Sequence, residues 1–517
     1  MPLPSQLADG GRQFSKRRLS RDLARRVRRL QHGGYAAARH PATGEAAADT
    51  LREECGVVGI YRHPEAAKLS TLCLHALQHR GQEAVGIISK SAEDFHAERR
   101  IGLVSDGINK RKVQRRLKGD CAIGHVRYST AGEVALRNVQ PLYGVLSDGG
   151  FAVSHNGNIT NALTLRRDLI ESGAIFQSST DSEVVLHLVA RSKAEGIVER
   201  FIDALGHIEG GYAFVALSEE YLIGARDPNG IRPLIVGRLD GAYVFVSETC
   251  ALDTVGATFV REVENGEIVF VGADGRLQSR KPFGAQPERP CVFEFVYFAR
   301  PDSIVHGKSV YAVRKAIGHQ LAQESAVEAD VVCPIPDSGV PAALGFAEAL
   351  GIPFEFGIIR NHYIGRTFIE PEQKIRDLGV RLKHSANAGP IAGKRVVLVD
   401  DSVVRGTTSR KIVNMMYQAG AKEVHMRIAC PPIRYPDFYG IDTPKREELL
   451  AATHTVQEMR DEMGAATLAF LSLDGLYAGL GYEPRDADHP ALTDHCFTGD
   501  YPTDLTDRKN GLIGCKT

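Results

Sequence analysis

The hydrophobic pattern of this chain changes character near residue 305, and no single layered architecture accommodates both halves. Before that point, β-rich runs at 57–61, 84–88, 122–127 and 151–155 sit beside amphipathic helical patterns at 69–79 and 182–198. Strands gathered together with helices segregated beside them predict a layered α+β domain. Beyond it, short apolar strands at 331–335, 354–358, 396–399 and 423–428 are separated by helical stretches such as 341–350 and 407–418. That alternation predicts a parallel sheet with helices on its faces. At 517 residues the chain is too long for one core, and the Pro/Gly stretch 281–287 sets a boundary near residue 285. The expected units are a leader over 1–54, a first domain over 55–285, a second over 286–503 and a tail over 504–517.

Charge narrows the function classes. Lys/Arg and Asp/Glu balance at 63 each, but residues 1–54 hold 11 basic against 6 acidic groups, leaving 52 against 57 elsewhere. A mildly acidic body argues against a nucleic-acid partner. The leader, basic from Lys16 to Arg29, reads as a disordered propeptide, lengthened if the start codon is assigned too far upstream. A transit peptide and a nucleic-acid or membrane-surface arm are its alternatives. Nine cysteines without any C-x-x-C spacing predict reduced thiols and a cytoplasmic location. No apolar run approaches the roughly 20 residues that span a bilayer, so no membrane is expected.

Cys55 opens the run 55–61 directly after Glu53-Glu54. Freed as an N-terminus, it would carry its own general base, because its α-amine titrates near pH 8 and its thiol near 8.5. The alternative is a small buried hydrophobe at the start of a strand. Three polar clusters follow: Gly124 to Thr130, ending a strand in Arg127; His155-Asn156-Gly157-Asn158, read as a tight turn; and Thr180-Asp181-Ser182-Glu183, read as a helix cap.

With Cys55 and the run Leu77-Gln78-His79-Arg80-Gly81-Gln82-Glu83, these clusters resemble the class II glutamine amidotransferases. The resemblance implies an N-terminal-nucleophile (Ntn) hydrolase fold, an αββα sandwich. It implies that Cys55 attacks the glutamine amide and that Asn156 and the Gly157 N–H form the oxyanion hole. It also implies that Arg127 pairs with the glutamine α-carboxylate and Asp181 with its α-ammonium. The chemistry suits those roles: arginine offers a two-pronged fork to a carboxylate, and glycine lets a backbone donor approach closely.

In the second half a buried strand, 396–399, ends in Asp400-Asp401, and a small-residue loop through Arg405, Gly406, Thr407 and Thr408 leads into a helix. Amides at a helix start cradle phosphate, and paired carboxylates at a strand end hold ribose hydroxyls or the shell of a Mg²⁺ ion. This segment resembles the signature of type I phosphoribosyltransferases, an α/β fold that binds 5-phosphoribosyl 1-diphosphate. Residues 333–341 resemble the pyrophosphate-side segment, where Ser338 would assist the metal held by Asp400 and Asp401. Residues 360–369, with Arg366, resemble the start of a flexible catalytic loop running on through Lys374, Arg376, Arg381 and Lys383, with Gly365 as its hinge.

A glutaminase followed by a phosphoribosyltransferase is similar to the amidophosphoribosyltransferase family, and the resemblance covers 53–503. It implies that ammonia released from glutamine passes through a channel and displaces pyrophosphate from the sugar, giving 5-phosphoribosylamine in the first committed step of purine synthesis. Segments 226–234 and 247–249 share it. Feedback inhibition by purine nucleotides, Mg²⁺ and a homotetramer follow from the family alone. Many relatives carry a [4Fe–4S] cluster on four cysteines. Cys291 and Cys496 match two of those positions, while Asp437 and Thr493 stand at the others, so no cluster is expected and the two cysteines are buried relics. The rivals are a regulator that senses the sugar diphosphate without turnover and a hexosamine-forming amidotransferase.

Overall fold

The computed structural model describes residues 55–92, 94–128, 135–284, 286–361 and 384–512. In the first half a seven-stranded antiparallel sheet runs through Thr258–Glu262, Ile235–Leu239, Ala242–Val246, Gly56–Tyr61, Cys121–Arg127, Ala84–Lys90 and Phe95–Ile101, in that spatial order. A six-stranded antiparallel sheet, ordered Leu277–Arg280, Ile268–Val271, Leu222–Arg226, Gly210–Ser218, Gly149–Ile159 and Leu142–Leu146, packs face to face against it.

The two-residue period of a strand decides which side chains meet between the sheets. On Gly56–Tyr61, Val57 and Tyr61 enter the layer between sheets, while Val58 and Ile60 pack with helices Ala66–Ala76 and Thr249–Val255. Gly59 shares the inter-sheet face, where a Cβ would stand 2.6 Å from Val215 Cγ1; glycine lets the sheets close there. Helices Ala162–Glu171, Glu183–Arg191 and Ile197–Leu205 cover the far face of the second sheet. The result is an αββα sandwich, as the sequence predicts.

Two helices differ from their predicted spans. Ala66–Ala76 starts before residue 69 and ends at Ala76, where the chain turns through Gln78 N–H to His75 O and Arg80 N–H to Leu77 O. The stretch 182–198 is not one helix. It breaks after Arg191 and restarts at Ile197, because Gly196 sits at φ +83°, outside the right-handed helical region.

The second half carries a four-stranded parallel sheet, ordered Val331–Pro334, Arg395–Asp400, Glu423–Ile428 and Thr467–Phe470. Helices Val310–Glu324, Val340–Leu350, Thr407–Gln418 and Val456–Met463 share its apolar core. The predicted strand 354–358 is absent. Phe354 makes a single bridge to Val332, and Ile358–Arg360 pairs instead with His384–Ala386, outside the main sheet. Gly357 turns the chain so close to Cys333 that a Cβ would lie 2.6 Å from its sulfur. Residues 504–512 of the expected tail return to the first half, where the Asp507 carboxylate accepts from Leu163 N at 2.7 Å and Thr164 N at 2.9 Å. Among the described residues no helix is long and apolar enough to cross a membrane.

Candidate active sites

Strand parity gathers the first site. The register Gly56↔Val126 sets Cys55 opposite Arg127, both on the inter-sheet face that Val57, Cys121 and Ile123 occupy. On the facing sheet Ala152 lies in the same layer, so Ser154 and Asn156 point toward it. Phe151 and Val153 face the helices, and His155 stacks on Phe214 at 4.4 Å. Cys55, Arg127, Tyr128, Gln140, His155, Gly157, Thr180 and Asp181 line one cleft.

Each group in that cleft is held for a reason. Cys55 Sγ donates to Tyr128 O at 3.5 Å, and burial pushes its thiol up to about 11. Asn156 is fully buried, and among the described residues neither amide atom has a hydrogen-bond partner; a buried amide left open in this way suits a ligand atom. Gly157 sits at φ +131°, and a Cβ on it would lie 2.1 Å from Gly211 O, so no other residue fits. The Asp181 carboxylate accepts from Ile159 N at 3.0 Å and Ser182 N at 2.8 Å, which fixes its direction. His155 N–H donates to Gln140 Oε1 at 2.7 Å, and His125 Nε2 donates to His155 O at 3.0 Å. Burial lowers both imidazoles, His125 to about 3; they are neutral struts at pH 7.

Two local expectations are corrected. Residues 155–158 are no turn: Gly149–Ile159 runs unbroken beside Gly210–Ser218, and Gly157 and Gly210 let the backbones approach, since a Cβ on the first would lie 2.1 Å from Gly211 O and on the second 2.2 Å from Asn158 O. Nor does the 180–183 cluster form a cap. Ser182 makes no capping bond, and the Glu183 carboxylate accepts from Gln177 N and Ser178 N, each at 2.7 Å. Ser129 and Thr130 lie outside the described residues.

Behind Cys55 lies a buried charge network. Arg80 Nε donates to Cys55 O at 3.2 Å, and its other nitrogens reach Glu248 Oε1 at 2.6 Å and both oxygens of Glu294, at 2.6 and 2.9 Å. Glu248 also accepts from Ser303 Oγ at 2.7 Å and Arg300 N at 3.0 Å. Glu294 begins the short helix Glu294–Phe298, whose Phe295 O accepts from Arg314 Nε at 2.6 Å. Burial raises Glu248, and the charges of His79 and Arg80 more than reverse this, holding it well below the usual carboxylate range.

The second site stands at the carboxyl end of the parallel sheet. Arg395–Asp400 delivers Asp400 and Asp401 beside the turn that follows Val331–Pro334 and carries Ser338. Burial raises the Asp401 carboxyl, opposed by hydrogen bonds from the Ser338 and Ser402 hydroxyls. Gly406, at φ +76°, caps Thr407–Gln418, whose first-turn amides have no intrahelical partner and suit an anion. Arg405 Nη2 donates to Glu448 Oε2 at 2.7 Å. Arg366 and Lys374 lie outside the described residues.

The all-oxygen donor set of Asp400, Asp401 and Ser338 fits a hard cation such as Mg²⁺. The surroundings of Cys291 and Cys496 do not fit a cubane held by four thiolates. Thr493 Oγ1 donates there to Arg289 O, and Asp437 Oδ2 accepts from Tyr439 N and Ile441 N.

Sequence reasoning missed Gln140, which sits 15 residues from its partner His155, and gave Arg80 and Glu248 no individual role. The signal for those two is chemical: an arginine and a glutamate within apolar surroundings require each other.

Comparison with known proteins places these features. Residues 125–254 match the glutamine amidotransferase domain and 302–437 the phosphoribosyl transferase domain. The chain is 59% identical over 473 residues to the amidophosphoribosyltransferase of Rhizobium etli, covering 90% of this chain and 95% of that one. It is 49% identical over 457 residues to that of Bacillus subtilis, covering 88% and 95%. The solved B. subtilis glutamine phosphoribosylpyrophosphate amidotransferase complexed with ADP and GMP matches with a TM-score of 0.83 at 48% identity, over 87% of this chain and 98% of that one. An Ntn sandwich joined to a phosphoribosyltransferase sheet, and identity on this scale along both, make this chain a member of the amidophosphoribosyltransferase family.

Proposed function

We propose that the chain transfers the amide nitrogen of glutamine to 5-phosphoribosyl 1-diphosphate, giving 5-phosphoribosylamine, pyrophosphate and glutamate, in the cytoplasm. The observation that carries the first half-reaction is the buried Asn156 amide, without a partner among the described residues, next in the chain to Gly157 on the cleft wall. Cys55 adds to the glutamine amide carbon, and the oxyanion that forms is held by Asn156 Nδ2 and Gly157 N–H. Arg127 and Asp181 bind the α-carboxylate and α-ammonium. Because burial holds the thiol near 11, the reaction needs a base at the sulfur. The α-amine of a Cys55 freed from the leader supplies it, taking the thiol proton and returning it to the departing ammonia. Water then cleaves the thioester to glutamate.

At the second site ammonia displaces pyrophosphate from the anomeric carbon. Asp400 and Asp401 hold the ribose hydroxyls, while the 405–408 loop cradles the 5-phosphate on its amides and on the hydroxyls of Thr407 and Thr408. Arg366 and Lys374 clamp the diphosphate. Asp400, Asp401 and Ser338 would hold Mg²⁺, which would neutralise the diphosphate charge. Purine nucleotides act as feedback inhibitors, in keeping with the ADP and GMP bound to the B. subtilis relative, and the assembly is a homotetramer. The relatives are named as transferases, which favours turnover over a sensing role.

Intact mass and N-terminal sequence, paired with pyrophosphate release from glutamine and from ammonia, test this reading. A chain beginning at Cys55 that releases pyrophosphate with glutamine is the expected result. No pyrophosphate from either nitrogen source, with tight binding of the sugar diphosphate, overturns it in favour of the sensor.

A further inference from the structure

Where the family resemblance puts a cluster thiolate, this chain buries a carboxylate against an imidazole. Asp437 Oδ1 lies 2.8 Å from His495 Nε2, with side-chain exposures of 0% and 1%. Its other oxygen accepts from Tyr439 N and Ile441 N, each at 2.7 Å, so one carboxylate ties the 437–441 loop to the turn His495–Thr498. His495 is wedged between the rings of Tyr439, at 5.1 Å, and Tyr501, at 5.0 Å.

That loop touches the other active site. Asn158 Nδ2 donates to Phe438 O at 2.9 Å, and a Cβ on Gly440 would lie 3.1 Å from both Gly157 Cα and Gly157 C. Arg232 Nε grips Tyr439 O at 2.9 Å and its guanidinium stands 3.7 Å from Glu294, a partner of Arg80. The backbone of the glycine assigned to the oxyanion hole therefore rests on a loop of the second half, and the shape of that loop is set by Asp437.

We propose that the close packing of Asp437 against His495 positions the glutaminase oxyanion hole. Asp437 and His495 are positioning residues: they act on glutamine chemistry through Phe438 and Gly440, which fix where the Gly157 N–H points. The inference rests on the reading of Asn156 and Gly157 as oxyanion donors. Loosening the pair lowers the rate of the chemical step without loosening the grip of Arg127 and Asp181 on glutamine, and it leaves ammonia use at the second site alone.

The test measures glutamate release from glutamine and ammonia-dependent pyrophosphate release for wild type, Asp437→Ala, His495→Ala and His495→Gln. Complete loss of an oxyanion donor costs about 10²–10³ in kcat, so a displaced one is expected to cost about tenfold or more. KM for glutamine and the ammonia-dependent rate, which also reports folding, should stay near wild type. His495→Gln keeps a side-chain donor for Asp437 and should recover part of the loss. The proposal is overturned if the alanine variants release glutamate at the wild-type rate, or if both activities fall in parallel. Metal analysis of anaerobically purified wild type adds a separate check. Asp437, His495 and Cys496 bring one ligand atom each within 4.8 Å of one another, and a stoichiometric metal lost in Asp437→Ala would overturn the direct Asp437–His495 contact in favour of a metal centre. If Asn156→Ala also releases glutamate normally, the oxyanion assignment itself fails; if only that variant is impaired, the inference alone fails.

Discussion

Replacing Arg80 by methionine tests whether the buried charge network fastens the two halves of the chain. The Arg80 side chain is fully buried, as are those of Glu248 and Glu294. Methionine is long, flexible and close in bulk, so lost packing is a minor part of the effect. The larger part is the carboxylate left without its cation. Glu248 retains His79 Nε2 at 2.7 Å together with Ser303 and Arg300 N. Glu294 loses two bonds of 2.6 and 2.9 Å and is left facing Arg232 at 3.7 Å. Breaking a buried pair by removing one partner costs about 3–5 kcal/mol, and with Glu248 still paired the low end applies. At about 2–4 °C per kcal/mol for a domain of this size, Arg80→Met should lower the melting temperature by roughly 6–12 °C. Calorimetry on the full chain reads this directly. Adding Glu294→Gln removes the stranded charge and should recover part of the deficit. A single variant that melts with wild type, or a double variant that melts no higher than the single, refutes the reasoning.

Two further outcomes are expected. Asn156→Ala should reduce glutamine-dependent pyrophosphate release by about 10²–10³ in kcat while ammonia-dependent release persists, measured side by side on one preparation. Acid should destabilise the fold through Glu248 and Glu183. Burial raises both, but their hydrogen bonds, and for Glu248 the His79 and Arg80 charges, hold them below the ordinary value. The unfolded chain therefore takes up these protons first, near pH 4.5, and stability is lost as pH falls from there through the folded-state values. Melting curves between pH 7 and pH 3 that show no such decline would count against the network.

The period of two made the first site legible. Once Cys55 is placed at the head of a strand, parity sends it to the face of Val57, and the same parity carries Arg127 and Asn156 into that layer. The Asp400-Asp401 strand end was legible for the same kind of reason: an apolar run that stops on two acids must stop where the strand leaves the buried sheet. What the chain pattern hid were contacts of long sequence separation. Polar residues at 155–158 imitate a turn, and it is Gly210, on the neighbouring strand, whose close approach to Asn158 O reveals that the strand runs on. Phe354 to Ile358 has the apolar content of a strand, yet Gly357 must pass against Cys333 and the pairing is lost. Glu183 carries the spacing of a capping box, but two amides at 177 and 178 compete successfully for it.

Those long-range contacts also bear on why two active sites share one chain. Just beyond Gly157 the strand pairs with Gly210–Ser218 and also takes three hydrogen bonds from the far end of the chain. Asn158 reaches Phe438 O, Thr160 Oγ1 donates to Asp504 O at 2.9 Å, and Asp507 N donates to Thr160 O at 3.1 Å. From the other side, the carbonyl of Cys55 is held by Arg80, whose partner Glu294 begins a helix braced by Arg314. Burial lowers Arg314 to about 10, and the Asp401 charge acts against that shift. Cys55 and the strand that carries Gly157 are thus each braced by the second half, through different residues. Packed interiors shift between discrete arrangements rather than deforming smoothly. A variant that displaces Arg314 or the 437–441 loop is therefore expected to change the geometry at Cys55 or at Gly157.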